Sequence, residues 1–356
     1  MKIAVGLSGG VDSSVTAALL KNAGHLVVGI TMKIWREGKY KGGTKDACFG
    51  PGEADDIARS EELCEKLGIA YHVYDCADEY EKVVLGYFRR EYLAGHTPNP
   101  CVLCNAFLKF GVLPNLARKS GVEFDAFATG HYARTCATEN GNALYRGTDD
   151  NKDQSYFLYR LKPEQLDRIL FPLGKHTKKE VRELALKFGL TSTNKPDSQD
   201  FYSGDHAELL DIPNKTGSVI DATGKVLGTH NGFWHYTIGQ RKGLGIAAKH
   251  PLYVLGVNSC RNEVMVGSSE DIRPHFLNAE NPNWLSPLPR VGSTVQVKVR
   301  SVGKETSAIV RDATKDGFAL EIPEGVLAPA QGQSAVLYQE DGRVLGGGII
   351  AGWKKC

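Results

Sequence analysis

The stretch "KIAVGLSGGVDSSVTAALL", Lys2 to Leu20, decides the fold. Lys2–Leu7 is a short apolar run, the length of a buried strand rather than of a helix. Ser8-Gly9-Gly10 breaks it with residues that turn easily. From Val11 the apolar period changes, and Val11, Val15, Ala18 and Leu19 share one helical face. Strand, glycine turn and helix follow in that order. Such a loop brings backbone N–H groups close to an oxyanion, and the helix adds its positive N-terminal end. Ser8, Ser13 and Ser14 add hydroxyl donors, and Asp12 is placed to help hold Mg²⁺ near phosphates. The loop is not a Walker A sequence, since G-x-x-x-x-G-K-[ST] is absent.

Outward from this loop, strand and helix patterns alternate. His25–Met32 reads as a second, buried strand, Tyr71–Cys76 as a third and Phe124–Tyr132 as a fourth. Asp55–Ile69 is an amphipathic helix with Ile57, Leu63 and Leu67 inward and Gly68 as its stop. Glu79–Gly95 is another helix. Thr177–Leu190 is a further one, with Thr177 as N-cap and Glu180 at the capping-box position. The pattern predicts an α/β domain with a parallel sheet and helices on both faces. After about residue 205 the texture changes. Gly217–His230 reads as a hairpin turning at Ala222–Lys225, and short strands at regular spacing from about residue 290 suggest a small antiparallel barrel. The expected division is 1–205, 206–275 and 276–356, a catalytic domain, a small central domain and a C-terminal β-barrel.

Composition narrows the class. A hydrophobic content of 42% and a charged content of 24% describe a globular chain. A net charge of +2 does not announce a nucleic-acid partner, although a local basic face matters more than the sum. No apolar run approaches a membrane span, and the first residues are too short for a secretory core. The cytoplasm is the expected compartment, where eight cysteines serve as thiols, ligands or catalysts rather than as staples.

Ser-Gly-Gly-Val-Asp-Ser in this setting resembles the pyrophosphate loop of the ATP pyrophosphatases, which cleave ATP between the α and β phosphates and adenylate an oxygen. The segments "AGHTPNPCVLCNAFLKF", "ATGHYAR", "KDQSYFLY", "PDSQDF" and "HYTIGQRKGLGI", in this order, resemble the tRNA-specific 2-thiouridylase (MnmA) family over most of the chain. The resemblance implies adenylation of the C2 oxygen of a wobble uridine in the tRNA anticodon arm, then its replacement by sulfur. It implies ATP and Mg²⁺ as reactants. It assigns Gly6, Leu7, Ser8, Gly9, Gly10, Val11, Asp12 and Ser13 to the phosphates, and Met32 and Gly130 to the adenosine. Asn99, Pro100 and Cys101 fall at positions that meet the target base. His131, Lys152, Asp153 and Gln154 match tRNA-contact positions, as do Arg300, Ser301 and Gln333 in the barrel. Arg241 and Lys242 suit phosphate neighbours on electrostatic grounds. Asp197 and Ser198 are retained near the reacting base.

Cys104 occupies the family's nucleophile position, but the chain departs from the pattern elsewhere. Tyr202 stands where the second, persulfide-bearing cysteine is expected, and a phenol carries no persulfide. Cys101 replaces a common aspartate, so Cys101-x-x-Cys104 is new. Four readings of the pair stand open: structural zinc, a redox dithiol, one catalytic cysteine beside an idle one, or an iron–sulfur cluster. A [4Fe–4S] cluster on Cys48, Cys101 and Cys104 would leave one iron for hydrosulfide. The sulfur donor is then hydrosulfide or a sulfur-carrier protein. Cys64 reads as core, and Cys76 as core or site. Tyr202 and Asp200 are candidate orienting groups. Two other functions compete: a non-thiolating ligase of the same superfamily, and an inactive tRNA-binding homologue.

Overall fold

The computed structural model describes residues 1–42, 47–139, 141–190 and 201–354. Asp197, Ser198 and Asp200 lie outside the described residues. The chain divides into two compact units. The first holds Met1–Val84, Cys101–Asp205 and Gly342–Val344, and the second holds Leu85–Pro100, His206–Asp341 and Leu345–Cys356.

The first unit contains β1 (Lys2–Gly6), β2 (Leu26–Lys33), β3 (Ala70–Asp75), β4 (Ala126–Ala128), a hairpin of β5 (Ala133–Thr138) and β6 (Gly141–Arg146), and β7 (Ile169–Leu170). Its main sheet runs β3-β2-β1-β4-β7, all parallel. Ile3 and Val5 pack on Val11, Val15 and Ala18 of α1 (Val11–Asn22), on Leu63 and Cys64 of α2 (Glu53–Leu67), and on Val181 and Ala185 of the helix Lys178–Lys187. In β4, Phe127 meets the Phe110 ring at 5.7 Å. Burial of both faces is why β1, with Ile3, Ala4 and Val5 all buried, reads as a continuous apolar run, whereas the edge strand β3 has no buried residue. The chain steps outward from β1 to β2 and β3, then returns to β4 on the other side of β1. That reversal makes a crevice at the C-terminal ends of β1 and β4.

Local chemistry fixes the ends of the helices. Gly68 closes α2 in the left-handed region at φ 62°, as its place predicted. Thr177 and Glu180 exchange hydrogen bonds in a capping box. The burial of α1 is wider than its predicted stripe, because Ser14 and Thr16 are buried too. Their hydroxyls donate to the carbonyls of Gly10 and Asp12, so no polar group is stranded. The fourth strand ends at Ala128, earlier than the sequence suggested, because Thr129–Tyr132 turns toward the loop after β1.

The second unit holds a four-stranded sheet in the order β10-β11-β8-β9, from β8 (Gly217–Ile220), β9 (Val226–His230), β10 (Tyr253–Asn258) and β11 (Glu263–Gly267). The predicted hairpin is β8–β9, where Asp221 Oδ1 accepts from Thr223 and Lys225 N–H groups. A closed six-stranded barrel follows: β12 (Phe276–Trp284), β13 (Thr294–Lys298), β14 (Thr306–Ala313), β15 (Gly317–Glu321), β16 (Ser334–Tyr338) and β17 (Val344–Lys354). Sequence reading found five of these strands. The sixth, β12, closes the ring by pairing with both β15 and β17 and placing Leu277 and Ala279 in the core.

One helix departs from the expectation about membranes. Pro100–Lys119 is 20 residues long and apolar enough to cross a bilayer. Leu108, Phe110, Leu113 and Ala117 are buried, which marks it as a core helix.

Candidate active site

The phosphate loop sits in the crevice at the end of β1. Gly9 adopts φ 65°, and a Cβ there would meet the Asp56 backbone at 2.6 Å. Only glycine fits. A Cβ on Gly130 would lie 2.7 Å from the Asp12 carbonyl carbon and 2.8 Å from the Ser13 nitrogen, so the chain after β4 rests directly on the loop. Ser13 Oγ accepts from the Ser8 N–H at 3.2 Å and donates to the Gly10 carbonyl at 3.1 Å. Leu7 is tied to β2 through the Ile30 carbonyl and the Thr31 hydroxyl. Met32 is half-buried near the end of β2, paired in register with Tyr74.

Three groups that sequence reading passed over complete this end. Lys178 Nζ donates to both oxygens of Asp12, at 2.8 and 2.9 Å, and is itself buried. The Tyr132 hydroxyl donates to Asp12 Oδ1 at 3.0 Å. Arg59 pairs with Asp56 and donates to the Gly9 carbonyl at 3.4 Å. With Lys178 on it, Asp12 anchors the loop, and a Mg²⁺ on the same carboxylate has to share it with an ammonium.

The candidate thiols Cys48, Cys101 and Cys104 lie in the same unit as the loop. Cys48 is exposed, while Cys101 and Cys104 are half-buried. Burial pushes the Cys104 thiol up to about 11, opposed by the charge of Lys109 and reinforced by Cys48. Tyr80 is fully buried, and its phenol is held well above its ordinary range by burial and then by Cys104, Cys101 and Cys48. All three thiols thus act electrostatically on the same buried phenol. Among the described residues, no three His, Cys, Asp or Glu side chains are drawn together as a metal site. Cys64 is core: its sulfur packs against Gly29, and burial raises it to about 12. Cys76 is wholly buried and is likewise raised to about 12 by burial and by Glu79.

Aromatic packing holds the Cys48 loop. Phe49 stacks on Tyr80 at 4.9 Å, meets Trp35 edge-on at 4.9 Å and lies 6.0 Å from Tyr202. The Phe49 N–H donates to the Phe201 carbonyl at 2.9 Å. Tyr202 is 1% exposed. Where a second cysteine was expected, the chain has a core ring that backs the loop carrying Cys48. Glu53 caps the turn after β2 by accepting from Ile34 and Trp35 N–H groups, and burial raises its carboxyl.

The positions matched to tRNA contacts fall differently. His131 is buried, with its Nδ1 at 2.8 Å from the Thr129 hydroxyl; burial, then Lys109, hold it well below its ordinary value. Asp153 is buried and accepts from Gly147 and Ser155, while Gln154 Oε1 accepts from the Tyr132 N–H at 2.9 Å. Asp153 braces its own turn and Gln154 braces the segment after β4, and Lys152 is half-buried beside them. In the second unit, Asn99 and Pro100 are buried. Gln333 Nε2 donates to the carbonyls of Thr97 and Pro98 at 3.1 and 3.0 Å. Arg300 donates to those of Ile238 and Ala328 at 3.1 and 2.7 Å, and Ser301 is half-buried next to it. Arg241 and Lys242 are exposed.

A glycine loop of this kind at the switch point of a parallel sheet, with thiols in the same unit, defines an ATP-pyrophosphatase-type enzyme of sulfur chemistry. Residues 1–202 match the family described as tRNA methyl transferase HUP domain, 210–268 the tRNA methyl transferase PRC-barrel domain, and 275–350 the aminomethyltransferase beta-barrel domain. The tRNA-specific 2-thiouridylase MnmA of Endomicrobium trichonymphae is 46% identical over 98% of this chain and 99% of its own length. Those of Gloeothece citriformis and Geotalea uraniireducens are 42% and 40% identical, each over 98% of this chain and over 99% and 94% of their own lengths. The chain belongs to the tRNA-specific 2-thiouridylase (MnmA) family, and the family's fold implies the use of ATP.

Proposed function

We propose that this protein is a tRNA 2-thiouridylase that adenylates the C2 oxygen of the wobble uridine and exchanges that oxygen for sulfur. The carrying observation is the phosphate loop and Cys104 within one compact unit of a chain that aligns end to end with 2-thiouridylases. A uridine carbonyl is a poor electrophile, and oxide does not leave. Transfer of AMP from ATP to O2 releases pyrophosphate and makes O2 a leaving group. The uridine must leave its stack to reach the site.

Gly6–Ser13 hold the phosphates in this reading, and Met32 and Gly130 flank the adenosine. Mg²⁺ enters with ATP, its charge balanced chiefly by the phosphates, because Lys178 already occupies Asp12. Asn99, Pro100 and Cys101 meet the target base, and Lys152 and Ser301 meet the tRNA. The buried His131 and Asp153 and the half-buried Gln154, Arg300 and Gln333 shape the segments around those contacts. Cys48, Cys101 and Cys104 offer the thiolate chemistry that a [4Fe–4S] cluster needs, although among the described residues they are not drawn together as a ligand group. When bound it would present sulfur without a persulfide cysteine, a requirement set by Tyr202. The domain limits proposed are 1–205, 206–275 and 276–356, supported by the matched ranges. The anticodon arm as partner, hydrosulfide or a carrier protein as donor, and a cytoplasmic location complete the reading.

The test is anaerobic incubation of the purified protein with ATP, Mg²⁺, tRNA transcript and sulfide, followed by nucleoside mass spectrometry. The expected product is 2-thiouridine at the wobble position, with one AMP per sulfur. Pyrophosphate release without thiolation points to the non-thiolating ligase. Binding of tRNA without AMP points to the inactive homologue.

A further inference from the structure

The helix that carries Cys104 changes its winding at that residue. Cys104–Val112 is π-helical, and the Leu113 N–H closes it on the Leu108 carbonyl five residues back. Bonding of this kind turns the fifth residue toward the face of the first, whereas in an α-helix it would lie about 140° around the axis. Lys109 is the fifth residue after Cys104. Its charge reaches both the Cys104 thiol and the His131 ring. Phe110, the next residue, meets His131 at 5.7 Å. Gly130, just before His131, rests on the Asp12–Ser13 backbone. The winding thus turns Lys109 toward the Cys104 face, while its neighbour Phe110 ties the same segment through His131 and Gly130 to the phosphate loop. Lys109 is half-buried, and among the described residues it makes no hydrogen bond or ion pair.

Resting on the 2-thiouridylase reading above, we propose that Lys109 is a catalytic residue of the sulfur-transfer step, its ammonium meeting the phosphate oxygen that leaves C2. In that step hydrosulfide gives an electron pair to C2 and the C2–S bond forms. The C2–O2 bond then breaks, and its pair departs on the oxygen of AMP. The proton on sulfur moves to N3, leaving C2=S. The AMP group carries one negative charge as the adduct and two when free, so one charge gathers at O2 during departure. Pyrophosphate leaves earlier, at the loop end, where Lys178 and Arg59 stand. His131 is buried and held neutral by that burial, so in this reading the positive charge beside the departing AMP comes from Lys109. A fixed cation there acts on charge that exists mainly in the transition state.

The experiment separates the two steps with the full-length protein. Adenylated tRNA is first formed without sulfide and measured by pyrophosphate release, then sulfide is added and 2-thiouridine is followed in a single turnover. Lys109→Gln is expected to keep pyrophosphate release within about threefold of wild type while sulfur transfer falls about 100-fold or more. Lys109→Arg, which keeps the charge, is expected to recover at least about tenfold of that loss. Transfer at the wild-type rate in Lys109→Gln overturns the assignment. So does an equal fall in both steps, which marks a structural role, or no recovery with arginine. A wild-type protein that never transfers sulfur instead overturns the reading of the function itself.

Discussion

Asp12 shows how much one side chain in a loop depends on distant residues. Its oxygens take two contacts from Lys178 and one from Tyr132, and Lys178 also lies 5.9 Å from the Tyr132 ring centroid. Lys178 is largely shielded from water, so removing it strands a carboxylate. Lys178→Met and Asp12→Asn are each expected to cost roughly 2–4 kcal/mol in urea unfolding. Together they should cost less than their sum by about 1–3 kcal/mol, since each removes the other's partner. Strict additivity would show that the pair is not coupled. His131 gives a pH signature. Burial holds its folded-state value well below 6.5, so the unfolded chain binds a proton that the native state refuses. Above pH 6.5 this histidine has no effect on stability. As pH falls below 6.5, it removes about 1.4 kcal/mol per pH unit, down to its folded value. His131→Gln should therefore flatten the stability–pH profile between pH 6.5 and 5 relative to wild type. An unchanged slope would refute the assignment of a neutral, buried ring.

At the scale of elements, close approach governs the phosphate loop. Gly130→Ala places a methyl group against the backbone of Asp12 and Ser13, which cannot yield as a side chain end would. We expect ATP affinity to fall at least about tenfold, or about 1.4 kcal/mol, in a direct titration. Gln333 holds the Thr97–Pro98 segment through two carbonyls. Gln333→Ala should lower the unfolding free energy of the tRNA-free protein by about 1–2 kcal/mol. A residue whose sole task was to touch tRNA would leave that quantity unchanged. These two elements differ in how plainly the sequence announces them. Strand, loop and α1 are contiguous, so period and glycine content reveal them together. The Lys178 contact spans 166 residues, and nothing in "TKKEVREL" distinguishes that lysine from the exposed Lys179 after it. Strand β12 was missed because "FLNAENPNW" contains Asn and Pro and alternates weakly; pairing on both sides overrides its poor propensity. The β5–β6 hairpin escaped notice for a like reason, with Gly141 at φ 96° as its one clear mark. Among the site residues, the cysteines were visible by spacing. The aromatic seat of Tyr202 was not, because it joins Trp35, Phe49 and Tyr80 from three separate segments.

For the whole molecule, the question is how a chain of net charge +2 holds a polyanion. The sum hides an uneven distribution. Residues 241–250 carry Arg241, Lys242, Lys249 and His250 without a carboxylate, and Arg241, Lys242 and Lys249 are all exposed. Gly243 and Gly245 take φ of 78° and 66°, so this loop is shaped by glycine turns rather than by a hydrophobic core. Leu244 is its one buried residue. Such a loop can follow a phosphate backbone without reading bases, so its contribution should be electrostatic and indifferent to sequence. Each phosphate it neutralises releases counterions, so affinity should fall linearly on a log–log plot against salt. Arg241→Gln with Lys242→Gln is expected to weaken binding of cognate and non-cognate tRNA alike and to reduce the salt slope by about 1 per charge removed. Thiolation at saturating tRNA should stay within about twofold of wild type, since lost positioning charge raises the concentration needed rather than the barrier. An unchanged slope would place the anionic partner elsewhere on the protein. A fall in turnover at saturation would instead place these side chains in the chemical step.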